Sequence, residues 1–270
     1  VYKGRNRKRR PDMKTKMWVM TAVLLVLSVF LLVGATSVLS AGKARSAGLS
    51  DETIKAVVES RLVTHGLLTD DNIQVIVKDD SIVLRGTVPS LADKAKAQHD
   101  AQEAEEHHVI VNELAVAPSD LAPLDLADAV ARKIREDLFY TVFDWVKVEY
   151  RGDAVTLLGW ASEPWHRSEY VEDAKEVPGV VKLVDDIKVL PVSIFDNELR
   201  VKAARLIYRH ALFESYRTAI DPPVHVIVEN GRVILEGAVG SDMEKLMAGN
   251  LVREYTDAFS VQDDLEVLKK

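Results

Sequence analysis

The strongest constraint on this chain is that it repeats. With Gly86, Gly159 and Gly237 superimposed, apolar residues recur at fixed offsets in three successive segments. Eleven and nine residues before each glycine stand Val75 and Val77, Val148 and Tyr150, Val226 and Val228. Four and two before stand Ile82 and Leu84, Val155 and Leu157, Val233 and Leu235. Two after come Val88, Ala161 and Val239. Further on are Ile110, Leu183 and Val261, then Leu114, Ile187 and Leu265, then Val116, Val189 and Val267. All 24 positions are apolar without a gap, and at 47% apolar content chance gives that roughly once in 10⁸.

The spacing says what each unit is made of. Two period-2 pairs joined by Lys78–Ser81, Arg151–Asp153 or Glu229–Gly231 predict a β-hairpin, and Asn230-Gly231 is a strong hairpin turn signal. Before each hairpin runs a helical pattern: Ile54, Val57, Val58, Leu62; then Leu126, Val130, Ile134, Leu138; then Leu199, Ala203, Leu206, Ile207. Asp51, Asp125 and Asp196 stand where N-caps are expected. A second helix follows the glycine, clearest where Pro164 opens it, and a last strand closes the unit. The fold class is therefore α+β, three tandem αββαβ sandwiches of two helices on a three-stranded sheet. Glycine at the zero position points to a bulge or a close helix approach where the second strand ends.

Charge is divided unevenly along the chain. Residues 1–16 carry a net +7 and the remainder −14, so the body lacks the concentrated basic face that nucleic acid requires. From Met17 to Gly42 there is no charged residue. Residues 17–39 as a helix reach roughly 35 Å, enough to span a hydrocarbon core of about 30 Å. The basic flank then stays cytoplasmic by the positive-inside rule and the rest is exported. Small residues at Ser40 and Ala41 leave a cleaved signal peptide as the alternative. There is no cysteine, which excludes a disulfide scaffold, a thiol nucleophile and a cysteine-ligated metal.

These residues resemble the BON domain family, named for bacterial osmotically inducible and nodulation proteins. The resemblance lies in the strand-ending Gly86-Thr87-Val88, Gly159-Trp160-Ala161 and Gly237-Ala238-Val239. It extends to the closing Val177-Pro178-Gly179-Val180 with Leu183-Val184-Asp185-Asp186-Ile187, and to Val111-Asn112-Glu113-Leu114. In the third copy about five extra residues fall around Arg217–Pro223. The resemblance implies a bacterial envelope protein associated with phospholipid membrane in envelope maintenance or stress response, without catalytic residues or cofactor. The expected organisation is a basic leader (1–16), a transmembrane helix or signal anchor (17–39), a linker (40–49) and three BON-like domains (50–118, 119–191, 192–268). This places a single-pass protein in the inner membrane with its domains in the periplasm, or a secreted periplasmic one if the signal is cleaved.

No Gly-x-Ser-x-Gly, Walker loop, His-Glu-x-x-His or dinucleotide fingerprint occurs, so no enzyme is expected. His107-His108 is a poor chelate, because neighbouring strand residues point to opposite faces. The acidic pairs Asp70-Asp71, Asp79-Asp80, Asp185-Asp186 and Asp263-Asp264 fall at turns and strand edges, where Asp serves local hydrogen bonding. No metal site is expected. Only the second copy is rich in aromatics: Phe139, Tyr140, Phe143 and Trp145 before its hairpin, then Trp160 and Trp165 beside the glycine. Arg132, Lys133 and Arg135 adjoin that run. Together these residues form the candidate lipid- or partner-binding surface, since amphipathic rings suit a membrane interface. Two readings compete with it. The rings fill the core or the seams between copies, or the units assemble side by side as a self-associating or partner-binding scaffold. An envelope ion or small-ligand sensor is a third reading.

Overall fold

Each hairpin closes through a left-handed turn that its residues are suited to make. Asp79 and Asp80 have φ of 50° and 60°, and Asn230 and Gly231 have 51° and 74°, the backbone that two-residue hairpins demand. The acidic pair Asp79-Asp80 is thus a turn. The computed structural model describes residues 50–69, 72–219 and 221–268. The leader, the membrane segment 17–39, the linker and Asp70-Asp71 lie outside the described residues. Among the described residues no helix is long and apolar enough to cross a membrane.

The first copy runs α1 (Asp51–Thr64), β1 (Ile73–Lys78), β2 (Ser81–Val88), α2 (Leu91–Ala104) and β3 (Val109–Val116). The second runs α3 (Pro123–Arg135), β4 (Trp145–Arg151), β5 (Ala154–Ala161), α4 (Pro164–Glu176) and β6 (Leu183–Val189). The third runs α5 (Ile194–Arg209), a 3-10 turn (Ala211–Phe213), α6 (Glu214–Arg217), β7 (Val224–Glu229), β8 (Arg232–Val239), α7 (Asp242–Tyr255), β9 (Ser260–Asp263) and β10 (Glu266–Val267). In every copy the hairpin is antiparallel and the last strand returns parallel to the central one, so the sheets order β1-β2-β3 and β4-β5-β6. The third copy interrupts its last strand at Asp264-Leu265, and β9 and β10 pair with β8 separately. Its extra residues around Arg217–Pro223 follow the 3-10 turn and α6, and the 3-10 turn brings Phe213 into the core.

One sheet face and both helices enclose each core. Val58, Leu62, Val75, Leu84 and Ala101 fill the first, Val130, Ile134, Leu157, Tyr170 and Ala174 the second, Ile207, Val226, Leu235 and Val252 the third. Each fully buried aliphatic side chain contributes about 1.5–3 kcal/mol.

The glycine columns are explained by the hairpin itself. Gly86, Gly159 and Gly237 have φ of 127°, 117° and 110°, and a Cβ on any of them would lie 2.0 Å from the carbonyl oxygen of Asn72, Trp145 or Pro223. What approaches is the neighbouring strand and not a helix. Each glycine lets β2, β5 or β8 bend away as its partner begins.

Two local expectations are corrected. The caps are Ser50 and Ser193, whose hydroxyls accept from Thr53 and Asp196 N–H, while α3 opens on Pro123. Asp196 instead accepts from the N–H groups of Asn230 and Gly231 at 2.9 and 2.8 Å, tying α5 to the hairpin turn. The helical pattern does not reach Leu138, because α3 stops at Arg135 and leaves Leu138 93% exposed.

Candidate functional site

The loop from Glu136 to Asp144 carries the aromatic run, and one buried carboxylate organises it. Asp144 accepts from Thr141 N–H and hydroxyl at 3.2 and 2.6 Å and from Ser162 N–H and hydroxyl at 2.6 and 2.8 Å. His166 Nδ1 lies 3.0 Å from the same carboxylate and 3.1 Å from Ser162 Oγ. Serine and aspartate therefore meet one ring nitrogen, whereas a catalytic triad needs them on opposite nitrogens. The cluster clamps the loop against the start of α4, and its effect is to sort the aromatics onto two sides.

Phe139 turns outward. Its ring meets Trp165 edge-on at 4.8 Å, His166 lies behind, and Tyr170 donates to the Phe139 carbonyl at 3.3 Å. Phe139 and Trp165 are 49% and 46% exposed beside the almost bare Leu138. Burial pushes the Tyr170 hydroxyl pKa up, so it stays a neutral donor.

Phe143 and Trp145 turn the other way, toward the third copy, and Tyr140 lies between that copy and the second core, its ring 5.5 Å from Tyr170. Phe143 and Val142 pack on the third core, and Val226 N–H donates to the Val142 carbonyl at 2.7 Å. His225, buried on β7, lies 5.5 Å from the Tyr140 ring and 4.9 Å from Trp145. Its pKa is held below the ordinary value by burial, against the pull of Asp221 and of carbonyls in the loop. Tyr140 accepts from Val146 N–H at 3.2 Å, and burial raises its hydroxyl pKa.

The basic residues separate as well. Lys133 clasps Asp173 and Glu176 at 3.5 and 2.8 Å, while Arg135 reaches Asp221 of the third copy at 3.4 Å. Burial raises the Asp173 carboxyl to about 6 despite Lys133. Arg132 and Arg135 line a surface recess of about 430 Å³ with Glu136, Asp137, Leu138, Tyr140 and Asp221.

Trp160 meets only Trp145 of the seam group, and the two line one cleft. Paired across the hairpin with Trp145, Trp160 faces this cleft of about 650 Å³ between the outer sheet faces of the second and third copies. Lys147, Glu149, Arg151 and Lys188 line one wall, and Glu236, Asp264 and Glu266 the other. Burial, then Asp264, raises the Glu236 carboxyl to about 7, with Lys147 opposing.

Against known families, the BON domain matches residues 50–118, 125–191 and 211–269, well over half the chain. The chain belongs to the BON domain family. No curated protein matches it. Among solved structures, the C-terminal domain of CdsD, the structural protein of the type III secretion system of Chlamydia trachomatis, aligns at 10% identity. That alignment covers 82% of this chain and 100% of that one, with a TM-score of 0.25. A second CdsD structure aligns at 10% identity over 80% of this chain and 91% of that one, with a TM-score of 0.24. At such scores neither carries a structural argument.

The nine candidate residues of the second BON domain thus do not form one surface. Phe139 and Trp165 come together on the outside; Arg132 and Arg135 line a recess with Leu138; Tyr140, Phe143 and Trp145 reach the third domain; Trp145 and Trp160 line the cleft; and Lys133 is spent on α4. Sequence reasoning missed Leu138, His166, Asp144 and His225. Leu138 had one available signal, since it stands three residues beyond the last basic residue of α3, where a helix stop was to be weighed.

Proposed function

We propose that this chain is a non-catalytic, membrane-anchored bacterial envelope protein whose second BON domain touches phospholipid membrane at Leu138, Phe139 and Trp165. The observation that carries the reading is an exposed aliphatic, Leu138, and two exposed rings, Phe139 and Trp165, with Leu138 lining the recess that Arg132 and Arg135 share with Glu136, Asp137 and Asp221. Apolar side chains enter the headgroup boundary while Arg132, which pairs with no described carboxylate, meets phosphate, a contact worth about 1 kcal/mol per basic residue on an anionic surface. The basic leader and apolar segment 17–39 support placing the domains outside the cytoplasm, in the periplasm.

The chain divides into Val1–Gly48 and Leu49–Lys270, so a fragment of residues 49–270 tests the surface without the apolar segment. Sedimentation with vesicles of phosphatidylcholine, with and without phosphatidylglycerol, is expected to pellet it with the anionic vesicles. A Leu138→Ser/Phe139→Ser/Trp165→Ser variant is expected to stay in solution. Equal pelleting of the variant, or none of either protein, rejects this surface. The competing scaffold reading is favoured by a different feature, the bare helical face of the third domain.

A further inference from the structure

The three domains close the groove between their two helices differently. In the first, Asp100 of α2 is buried against His65 at 2.7 Å and Arg61 at 3.8 Å, and Arg61 also pairs with Glu103. In the second, Lys133 of α3 meets Asp173 and Glu176 of α4. The positions correspond by register. Arg61, Lys133 and Leu206 each precede the last core residue of the first helix, Leu62, Ile134 or Ile207. Asp100, Asp173 and Leu251 each stand fourteen residues after the domain's glycine, on second helices that all begin five after it. The ionic clasp of two domains is therefore a leucine pair in the third.

The exchange extends along the groove. Val201 and Met247 of the third domain take the places of Asp128 and Glu169 in the second, and Tyr255 follows one turn beyond Leu251. The result is an open groove of about 960 Å³ between α5 and α7, floored by Leu206, Met247 and Leu251, with Val201 and Tyr255 42% and 58% exposed. Its rim is charged by helix. Glu198, Lys202, Arg205 and Arg209 stand on α5 and Glu254 on α7; Lys202 pairs with Asp257, and Arg205, Arg209 and Glu254 form no ion pair with another described residue. Glu254 occupies the place of Glu103 and Glu176, whose basic partners Leu206 has replaced.

We propose that this groove is the contact with a second copy of the same chain, α5 of one lying over α7 of the other. A two-fold interface is self-complementary, so a surface that meets itself must carry both signs of charge on opposite sides of its axis. The α5 rim, where Lys202, Arg205 and Arg209 outnumber Glu198, and Glu254 of α7 meet that condition, bringing Arg205 and Arg209 of each copy to Glu254 of the other over an apolar centre. Within one chain, helix-to-helix contact between BON domains already occurs, since α2 packs on α4.

The chain has no cysteine, which makes cross-linking direct. The full chain is purified in detergent micelles, and molecules carrying only Arg205→Cys are mixed with molecules carrying only Glu254→Cys under mild oxidation. Disulfide-linked dimers are expected, and none from the equivalent first-domain pair, Ser60→Cys with Glu103→Cys. Sedimentation equilibrium of the cysteine-free chain is expected to show a monomer–dimer equilibrium. Leu206→Arg/Leu251→Asp, which installs the clasp of the first domain, is expected to weaken it at least about tenfold. Val201→Asp/Met247→Glu, which copies the second domain on the groove's exposed side, gives the same result if the first variant folds poorly. Anionic vesicle binding by the 49–270 fragment is unchanged in both, which separates this contact from the membrane surface. A monomer up to about 100 µM, or dimerisation unaffected by either variant, overturns the proposal and leaves the groove to a different protein or to lipid.

Discussion

The seam between the first and second domains joins packed helices, α2 on α4, with a backbone hydrogen bond, and the seam between the second and third is made of rings. At the first, Gly179 N–H donates to the Pro89 carbonyl at 2.9 Å, and the glycine, at φ 88°, lies so close that a Cβ would fall 2.3 Å from that of Ser119. Leu91 packs on both cores. At the second, a loop of one domain covers the edge strand of the next, and His225 sits against Tyr140 and Trp145. Units of one fold thus join through different faces. The first seam depends on shape and lacks tolerance for a single added carbon. The second depends on aromatic packing around groups whose charge follows pH.

Gly179→Ala is the sharpest way to break the first seam. A left-handed backbone and overlap with Ser119 together are expected to destabilise the chain by about 3 kcal/mol, read from urea unfolding. A loss under about 1 kcal/mol means the linker at Ser119 shifts freely, and the contrast between the seams disappears.

Trp145→Ala addresses the second seam alone. Removing a partly buried ring is expected to cost about 2 kcal/mol and to abolish hydrogen-exchange protection of the Val226 amide while that of Gly179 persists. Loss of both protections together makes the two seams one cooperative unit.

The smallest effect is in pH. His225 has its folded pKa depressed, so its contribution is full above the ordinary value near 6.5 and lost as pH falls through the folded value. Glu236 has its folded pKa raised from 4.5 to about 7, so its contribution is full below 4.5 and lost as pH rises to about 7. Both belong to the second seam and act in opposite directions. Glu236→Gln is expected to raise the unfolding midpoint at pH 8 and leave it unchanged at pH 4, by about 1 kcal/mol or less because the group is half exposed. An equal shift at both pH values removes titration as its cause.

The glycines, hairpins and helix faces were legible because each is dictated within a few residues. Gly86, Gly159 and Gly237 meet a carbonyl fourteen positions earlier, and Asn230-Gly231 makes its turn unaided. The candidate surface was legible only in part. Phe139 and Trp165 are outside as a membrane contact requires, but Phe143 and Trp145 share the same loop and chemistry and face the opposite way. A loop has no period to reveal its two sides. Asp144 decides them by gripping Ser162 and His166, and nothing local to the aromatic run signals that grip.

The amino-acid order alone determined three αββαβ units, because alternation of apolar side chains and glycine at positive φ are properties of short stretches. Tertiary structure alone decided which surfaces the units turn to one another and which they leave bare. His225 becomes a seam residue only when Tyr140 and Trp145 close over it. Leu206 and Leu251 stand in the sequence as ordinary helical leucines, and only the packing of α5 beside α7 sets them opposite each other where the first domain sets Arg61 and Asp100. Contacts between residues far apart in the chain depend on the summed packing of whole units, which no local pattern records.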